Sequence, residues 1–259
     1  MYDTTLEKGC NADGIMYNQL DENHVPSNLS DGWGYNYVGY LAYDIAMGTD
    51  HYTKPITQTL QNLAKPQYTD YAWERESIDG YADSIEGGIY LLNRVPVKQG
   101  FDWVNQETRN NVVDHPTRLE NGELWGAMKL QANGVRTTIM QALMYTQGLI
   151  ARPWVQGLEL GAAPTSDGGV AIILKSKTDY QGKLEFDIPR HRLYMGFKKD
   201  WPRMNTLPEW FVVEPEESYI VQDIHAGTER KYTGRQLHQG LALNLEAGSS
   251  VQLIVSAAQ

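Results

Sequence analysis

The residues with the clearest potential for chemistry are four carboxylates that share one face of a predicted helix. At about 100° per residue on a helix, the stretch 74–94 places its acidic residues on one side and its apolar residues on the other. No lysine or arginine lies between the first of these carboxylates and Arg94, although most exposed helix faces mix the two charges. The acidic face therefore either contacts bulk water or lines a cleft in which acids act. This acidic strip is Glu76, Asp79, Asp83 and Glu86, and the apolar face is Ile78, Tyr81, Ile85, Ile89 and Leu92.

Asp79 and Asp83 have the spacing of an interacting pair of acids. Positions i and i+4 bring the Cβ atoms to about 6 Å, and neighbouring like charges raise the pKa of one partner. A glycosidase places its two carboxyl groups on opposite sides of the scissile bond, about 5 to 9.5 Å apart. One acid of the pair therefore needs a partner from another element, for which Asp31 and Glu123 are candidates. The spacing also suits a calcium ion held with backbone oxygens; otherwise we expect no metal and no cofactor.

The most basic run of the chain, at 190–203, has residues suited to binding an anion. Arg190 and Arg192 can clamp a carboxylate through paired N–H donors. The imidazole of His191 can move a proton near neutral pH. The alternative is structural: a basic loop that pairs with the acidic first half and joins the two parts of the chain.

Arg136 is an arginine in an unfavourable place. It falls in the first turn of a predicted helix over 132–147, where the helix dipole favours an anion. A local partner can explain this position, and we favour a pair with the acidic strip over a contact with a substrate carboxylate.

Aromatic residues near the predicted helix starts can serve either a core or a ligand. The chain has seven Trp and 16 Tyr but only four Phe, and Trp and Tyr combine an apolar ring face with a polar tip. On the ligand interpretation, Trp33 and Trp73 are stacking platforms for sugar rings and Tyr35 is a catalytic base. On the structural interpretation, the side chains of Trp33, Trp73 and Tyr35 pack in the core.

Periodicity divides the chain into a helical part and a strand-rich part. Helical spacing dominates the first 150 residues, with Asp31 as the expected N-cap of the first helix. After Arg152 the pattern changes to short alternating runs separated by turn signals, which are typical of antiparallel strands. We predict an α+β chain with an α-helical hairpin domain at 1–150 and an antiparallel β-sandwich at 151–259. The predicted helices are 31–47, 55–63, 74–94, 101–113 and 132–147, with irregular chain at 1–30 and a loop at 116–131 that turns at Asn121-Gly122; the predicted strands lie in 155–162, 168–177, 182–189, 209–214, 218–224, 241–247 and 250–257.

The charge and composition exclude several classes of partner. The net charge is −10, and residues 1–150 alone carry ten Lys and Arg against 19 Asp and Glu, so a nucleic acid is a poor partner. The single Cys10 excludes an internal disulfide framework. No apolar run approaches 18 residues, so we expect no membrane span. The first residues have neither a basic segment nor an apolar core, so we expect no signal peptide in this chain.

Four stretches carry a resemblance to known proteins: LSDGWGYNYVGYLAYDI, ESIDGYADSIEGGIYLLNR, NGVRTTIMQALMYTQG, and KLEFDIPRHR followed by DWPRMNTLPEWFVVE. Their order resembles bacterial carbohydrate-active proteins in which an (α/α) toroid precedes a β-sandwich, as in polysaccharide lyases and some glycoside hydrolases. No catalytic motif of a particular family matches, so no residue role is carried over. The chain has fewer hairpins than a complete toroid, which implies an upstream chain or a homo-oligomer that completes the helical domain.

The resemblance implies a secreted or periplasmic parent protein that acts on a polysaccharide. We expect a lyase for a uronic-acid-containing polysaccharide, in which a base removes the proton beside the sugar carboxylate and a cation neutralises that carboxylate. The alternatives are a glycoside hydrolase, in which a carboxyl group protonates the leaving oxygen, and a non-catalytic glycan-binding or scaffold module. The candidates are His191 or Tyr35 for the base, Arg190, Arg192 or Arg136 for the cation, and Asp79 or Asp83 for the acid.

Overall fold

The structure is a computed structural model that describes residues 2–110 and 134–258. The predicted loop at 116–131, its turn at Asn121-Gly122 and the candidate Glu123 lie outside these residues, as do the predicted helical residues 111–113 and 132–133. Within the described ranges, no helix has the length and apolar character needed to cross a bilayer.

The chain forms two compact units. The first comprises Met1–Gln141 and Trp201–Pro208, and the second comprises Ala142–Asp200 and Glu209–Gln259. The long helices precede the strands along the chain, and the strands form two antiparallel sheets. This arrangement confirms the predicted α+β class.

Six helices of the described chain precede the first strand. They include the predicted helices, with boundaries that differ by a few residues. One short 3₁₀ turn, Pro66–Tyr68, lies between the third and fourth helices. The helices are α1 (Tyr2–Lys8), α2 (Trp33–Met47), α3 (Thr53–Asn62), α4 (Ile78–Leu92), α5 (Lys98–Thr108) and α6 (Val135–Thr146).

Helix α4 carries the acidic strip and contacts both α2 and α5. Ser77 caps its N-terminus, because the Ser77 hydroxyl accepts a hydrogen bond of 2.9 Å from the Gly80 N–H. Such a cap satisfies one of the free N–H groups of the first turn. On the predicted apolar face, the side chains of Tyr81, Ile85 and Ile89 are buried. This burial confirms the apolar face and fixes which side of α4 carries the carboxylates.

Helices α2 and α4 meet backbone to backbone at Gly34 and Gly87. A Cβ atom added to Gly34 would lie 2.5 Å from the carbonyl carbon of Gly87, and one added to Gly87 would lie 2.9 Å from the Cα of Gly34. Both distances are below the usual carbon–carbon contact of about 3.5 Å. The two glycines therefore set how closely side chains on these two helices can approach.

The two tryptophans predicted to stack on sugars belong to the core. Trp33 is fully buried, its indole N–H donates to the Ser84 hydroxyl at 2.9 Å, and its ring packs edge-on against Trp103. Trp73 is also fully buried. A stacking platform needs an exposed ring face, so the interpretation of Trp33 and Trp73 as substrate-binding residues is wrong for this structure.

The strands form two antiparallel sheets that contribute to one hydrophobic core. Val170, Leu174 and Val255 of the larger sheet and Leu184 of the smaller sheet are fully buried in it. Two short helices, α7 (Arg190–Leu193) and α8 (Gly234–Gln239), lie between strands in sequence. The larger sheet has the order β2-β3-β8-β5-β6 and the smaller β1-β4-β7; the strands are β1 (Ile150–Arg152), β2 (Leu158–Pro164), β3 (Val170–Ser176), β4 (Tyr180–Glu185), β5 (Ser218–Asp223), β6 (Thr228–Thr233), β7 (Leu241–Leu245) and β8 (Ser250–Ala257).

Two helix starts differ from the prediction. Helix α2 begins at Trp33 after Gly32, with no side-chain cap, so the prediction of Asp31 as N-cap is wrong. Helix α4 begins at Ile78 rather than at 74, because residues 74–76 have φ angles of 47°, 59° and 67°. Left-handed backbone of this kind cannot continue a right-handed helix. Helix α1 was also missed, since 1–30 was predicted to be irregular.

One predicted strand pairs only through a single bridge, and two observed strands were not predicted. The run 209–214 alternates like a strand, yet its described pairing is a single bridge between Val212 and Asp187. Strand β6 was missed because it is an almost wholly exposed edge strand of polar sequence, TERKYT. Strand β1 has three residues, too few for a periodic signal.

Replacing Gly34 by alanine tests the close contact between α2 and α4. Alanine normally favours a helix over glycine by about 1 kcal/mol, but here its Cβ must push the helices apart. We therefore expect Gly34→Ala to lower the free energy of unfolding by about 1–3 kcal/mol, measured by urea denaturation followed at the helical circular dichroism band. Ala46→Gly, at an exposed position of the same helix, measures the propensity term alone. A Gly34→Ala variant more stable than wild type would contradict the contact.

Candidate functional site

Tyr35 and the acidic strip form the centre of the candidate site. Tyr35 lies in the first turn of α2, and its hydroxyl is 3.1 Å from Asp83 Oδ1 and 3.0 Å from Glu86 Oε2. The hydroxyl has one proton, so it donates to these two carboxylates in a shared hydrogen bond. The approach of α2 and α4 at Gly34, the residue before Tyr35, permits this contact.

Glu86 is a buried carboxylate with three donors. Its side chain is 2% exposed, and its Oε1 accepts hydrogen bonds from Arg136 Nε at 2.7 Å and from the Thr137 hydroxyl at 2.9 Å. Tyr35 approaches the other oxygen. The pair between Arg136 and the acidic strip is therefore confirmed, and it explains an arginine in the first turn of α6.

Asp83 is the carboxyl group of the cluster that can exchange protons near neutral pH. Burial raises its pKa to about 6, and the charges of Asp79, Glu86 and Asp31 act in the same direction, while the hydrogen bond from Tyr35 opposes them. Arg136 Nη2 lies 3.8 Å from Asp83 Oδ1, and the Asp83 side chain is 30% exposed. Asp83 can thus reach solvent and hold or release a proton under ordinary conditions.

Tyr35 is held in its protonated form. Burial raises the pKa of its phenol far above the ordinary range, and the charges of Glu86 and Asp83 add to the effect. A base must lose its proton first, which two adjacent carboxylates oppose. The arrangement therefore favours Tyr35 as a donor, so its predicted role as a base stays a prediction that the local electrostatics oppose.

Arg203, the last residue of the basic run, lies in this cluster, a position that the sequence did not indicate. Its guanidinium carbon lies 3.7 Å from the centroid of the Tyr35 ring, within the range of a cation–π contact. The segment Trp201–Pro208 belongs to the first unit, and the Tyr90 hydroxyl donates to the Thr206 carbonyl at 3.0 Å. Arg203 has a φ of 65°, an uncommon conformation for a non-glycine residue.

A polar cavity of about 500 Å³ includes residues next to the acidic strip. Asp31, Glu74 and Ser77 are among its lining residues. Burial raises the pKa of Asp31, and the charges of Glu74 and Asp79 contribute. Glu74 and Arg75, two of the left-handed residues at 74–76, also line it, and such backbone costs about 1–3 kcal/mol per residue. The charge of Asp79 thus helps to raise the pKa values of both Asp31 and Asp83.

Arg190, His191 and Arg192, at the start of the basic run, lie in the second unit, and each has an acidic partner from that unit. Arg190 donates to Asp187 at 3.0 Å, and Arg192 pairs with Glu214. The Nδ1 of His191 lies 2.8 Å from Glu209 Oε2. These three acidic partners belong to the second unit, whereas the structural alternative predicted partners in the acidic first half of the chain.

The structure therefore brings together some of the residues predicted for catalysis and binding. Tyr35, Asp83 and Arg136 share one cluster with Asp79 beside it, whereas His191, Arg190 and Arg192 lie in the second unit. Searches with this chain found no matching family model, no matching curated protein and no matching solved structure.

Removing Arg136 tests the charge balance of the cluster. Arg136→Ala leaves the buried Glu86 carboxylate without its cation, so we expect the free energy of unfolding to fall by about 3 kcal/mol. Adding Glu86→Gln to this variant should restore most of the loss, because the group left behind is neutral. Urea denaturation of wild type, both single variants and the double variant measures the coupling. Additive losses in the double variant would show that the two residues do not interact.

The raised pKa of Asp83 gives a pH dependence with a defined sign. The folded pKa is about 6, above the usual aspartate value of about 4, so the folded state binds the proton more tightly than the unfolded state. The stabilisation that the protonated Asp83 carboxyl gives to the folded state is present below about pH 4. It is lost as the pH rises to about 6. We expect Asp83→Asn to become progressively more stable relative to wild type over this interval.

The Tyr35→Phe variant supplies the matched control for this titration. It removes the hydrogen bond that lowers the pKa of Asp83, so the carboxyl carbon resonance of Asp83 should titrate at higher pH than in wild type. An unchanged or lower midpoint in the NMR titration would contradict the contact between Tyr35 and Asp83.

Proposed function

We propose that this chain is a carbohydrate-active protein in which the cluster around Tyr35 transfers protons to or from a sugar substrate. The proposal rests first on the order of the elements. Helices that pack as neighbours come before two antiparallel sheets with a shared core, an order that fits the (α/α)-toroid and β-sandwich layout. On this proposal the first unit is part of a toroid that an upstream chain or a second copy completes, and the parent protein is secreted or periplasmic.

The observation that carries the proposal is Asp83 beside a neutral phenol and a guanidinium. Asp83 has a pKa of about 6, and the Tyr35 hydroxyl lies 3.1 Å away. General acid–base catalysts work best with a pKa near the operating pH. A carboxyl group that can donate a proton to a glycosidic oxygen is the acid of a glycoside hydrolase. We therefore favour hydrolysis, with Asp83 as the acid and the second carboxyl group supplied by another element.

A second candidate is a polysaccharide lyase for a uronic-acid-containing polymer. Its support is Arg203, an exposed residue whose guanidinium forms no ion pair with the carboxylates of the described chain. Together with Arg136 it offers a cation near Tyr35 for a sugar carboxylate, and Asp83 would then be the base. A non-catalytic glycan-binding module has less support, because Trp33 and Trp73 offer no exposed ring.

The two reactions leave different products, so one incubation separates them. The chain is incubated with neutral polysaccharides and polyuronates, and new reducing ends and the near-ultraviolet absorbance of unsaturated uronate are both measured. We expect new reducing ends without that absorbance, formed at a rate that depends on a group with a pKa near 6. In Asp83→Asn this rate should fall at least about 100-fold.

The control for this experiment is Asp102→Asn, which changes an exposed carboxylate on α5 that pairs with Lys98. It should retain full activity. Absorbance accompanying every new end would favour the lyase, and turnover that persists in Asp83→Asn would remove Asp83 from the chemistry. An absence of both products over the whole panel would contradict catalysis.

A further inference from the structure

We infer that His191, Asp200 and Glu209 form a binding site for a divalent transition-metal ion, with Zn²⁺ as the best match. One candidate ligand atom from each residue lies within 4.8 Å of the other two. In the described ranges, this is the single group of three or more His, Cys, Asp or Glu side chains with such an arrangement. It lies in the second unit and is independent of the proposed function.

Two of the three side chains are already held in position. His191 is in α7, and its Nδ1 is 2.8 Å from Glu209 Oε2; the His191 side chain is 16% exposed and the Glu209 side chain 4%. The other Glu209 oxygen accepts a hydrogen bond of 2.6 Å from the His191 backbone N–H. A hydrogen bond to the second oxygen of a carboxylate is a common way to orient a metal ligand.

The spacing of the atoms requires little movement to admit an ion. Zinc lies about 2.0–2.2 Å from nitrogen and oxygen ligands, so two ligands of a tetrahedral site are about 3.4 Å apart. The Nδ1–Oε2 separation of 2.8 Å must widen slightly, and Asp200 must come within that range of both atoms. Small side-chain rotations accomplish this, because the atoms are already within 4.8 Å.

The chemistry of the donors selects the class of ion. One imidazole nitrogen and two carboxylate oxygens match Zn²⁺, while calcium and magnesium sites are built almost wholly from oxygen. Two carboxylates with a neutral imidazole carry a charge of −2, which the ion balances. Three protein ligands leave a fourth tetrahedral position for water or another ligand.

The sequence positions of the ligands suggest what the ion does. Asp200 and Glu209 directly flank Trp201–Pro208, the segment that belongs to the first unit and carries Arg203. An ion bound to both residues links the two ends of this segment. We therefore assign the site a structural role in fixing the ends of 201–208.

The ordinary alternative is an ion pair between His191 and Glu209. It accounts for the 2.8 Å contact between His191 Nδ1 and Glu209 Oε2 without an ion. Metal binding by the purified protein distinguishes the two.

The untagged full chain is treated with a chelator, dialysed and titrated with Zn²⁺, Ca²⁺ and Mg²⁺ by calorimetry. We expect one Zn²⁺ per chain, with weaker or no binding of the other two ions. Co²⁺ as a spectroscopic probe should give the visible absorption of a site with fewer than six ligands. In hydrogen exchange, Zn²⁺ should slow the amides of 201–208.

The matched variants are Asp200→Asn and Glu214→Gln. Asp200→Asn removes a ligand at a partly exposed position and should weaken Zn²⁺ binding at least about 100-fold. Glu214→Gln removes an acid of the same unit that pairs with Arg192 and should bind Zn²⁺ as wild type does. His191→Gln, checked for folding by circular dichroism, repeats the test if Asp200→Asn does not fold. No stoichiometric Zn²⁺ binding, equal binding by the ligand variants, or a preference for Ca²⁺ or Mg²⁺ would overturn the proposal.

Discussion

The arrangement of the helical unit depends on the buried carboxylate of Glu86. A charge in this position requires compensation, and here it comes from three elements: Tyr35 of α2, and Arg136 and Thr137 of α6. Each donor reaches the carboxylate only if its helix lies at a particular distance and rotation relative to α4. The buried Glu86 therefore links α2, α4 and α6, three helices that are distant in sequence.

The close contact of Gly34 with Gly87 is the steric counterpart of this charge network. Helix axes usually lie 8–10 Å apart, depending on the side chains at the contact, and two glycines at one crossing allow the closest approach. The Tyr35 phenol can then contact both Asp83 and Glu86, which are one helical turn apart. Charge compensation and backbone contact thus favour the same orientation of α2 on α4.

Much of this organisation could be predicted from the sequence, because it follows from local spacing. The apolar face of α4 is visible in the positions of Tyr81, Ile85 and Ile89, and the misplaced charge of Arg136 predicted its pair with the acidic strip. The sequence does not indicate which side chains of other elements pack against a given helix face. The sequence around Trp33 and Trp73 does not distinguish a tryptophan that packs in a core from one that lines a sugar-binding cleft. Arg203 contacts Tyr35 across most of the chain, so no spacing within either segment indicates the contact.

The network also explains why two acids on one helix face have different chemical character. Glu86 is buried and accepts hydrogen bonds from Tyr35, Arg136 and Thr137, so it stabilises the contact of the helices. Asp83, one turn away, has the shared Tyr35 proton and a more distant guanidinium, so burial and neighbouring charges dominate its pKa. A purely structural contact would gain stability from apolar residues in place of the pair of Glu86 and Arg136, since buried ion pairs often contribute less than a packed hydrophobic isostere. The pair instead keeps a negative charge beside Asp83 and Tyr35, which raises the pKa of both groups and maintains the protonated phenol next to a carboxyl that titrates near neutral pH.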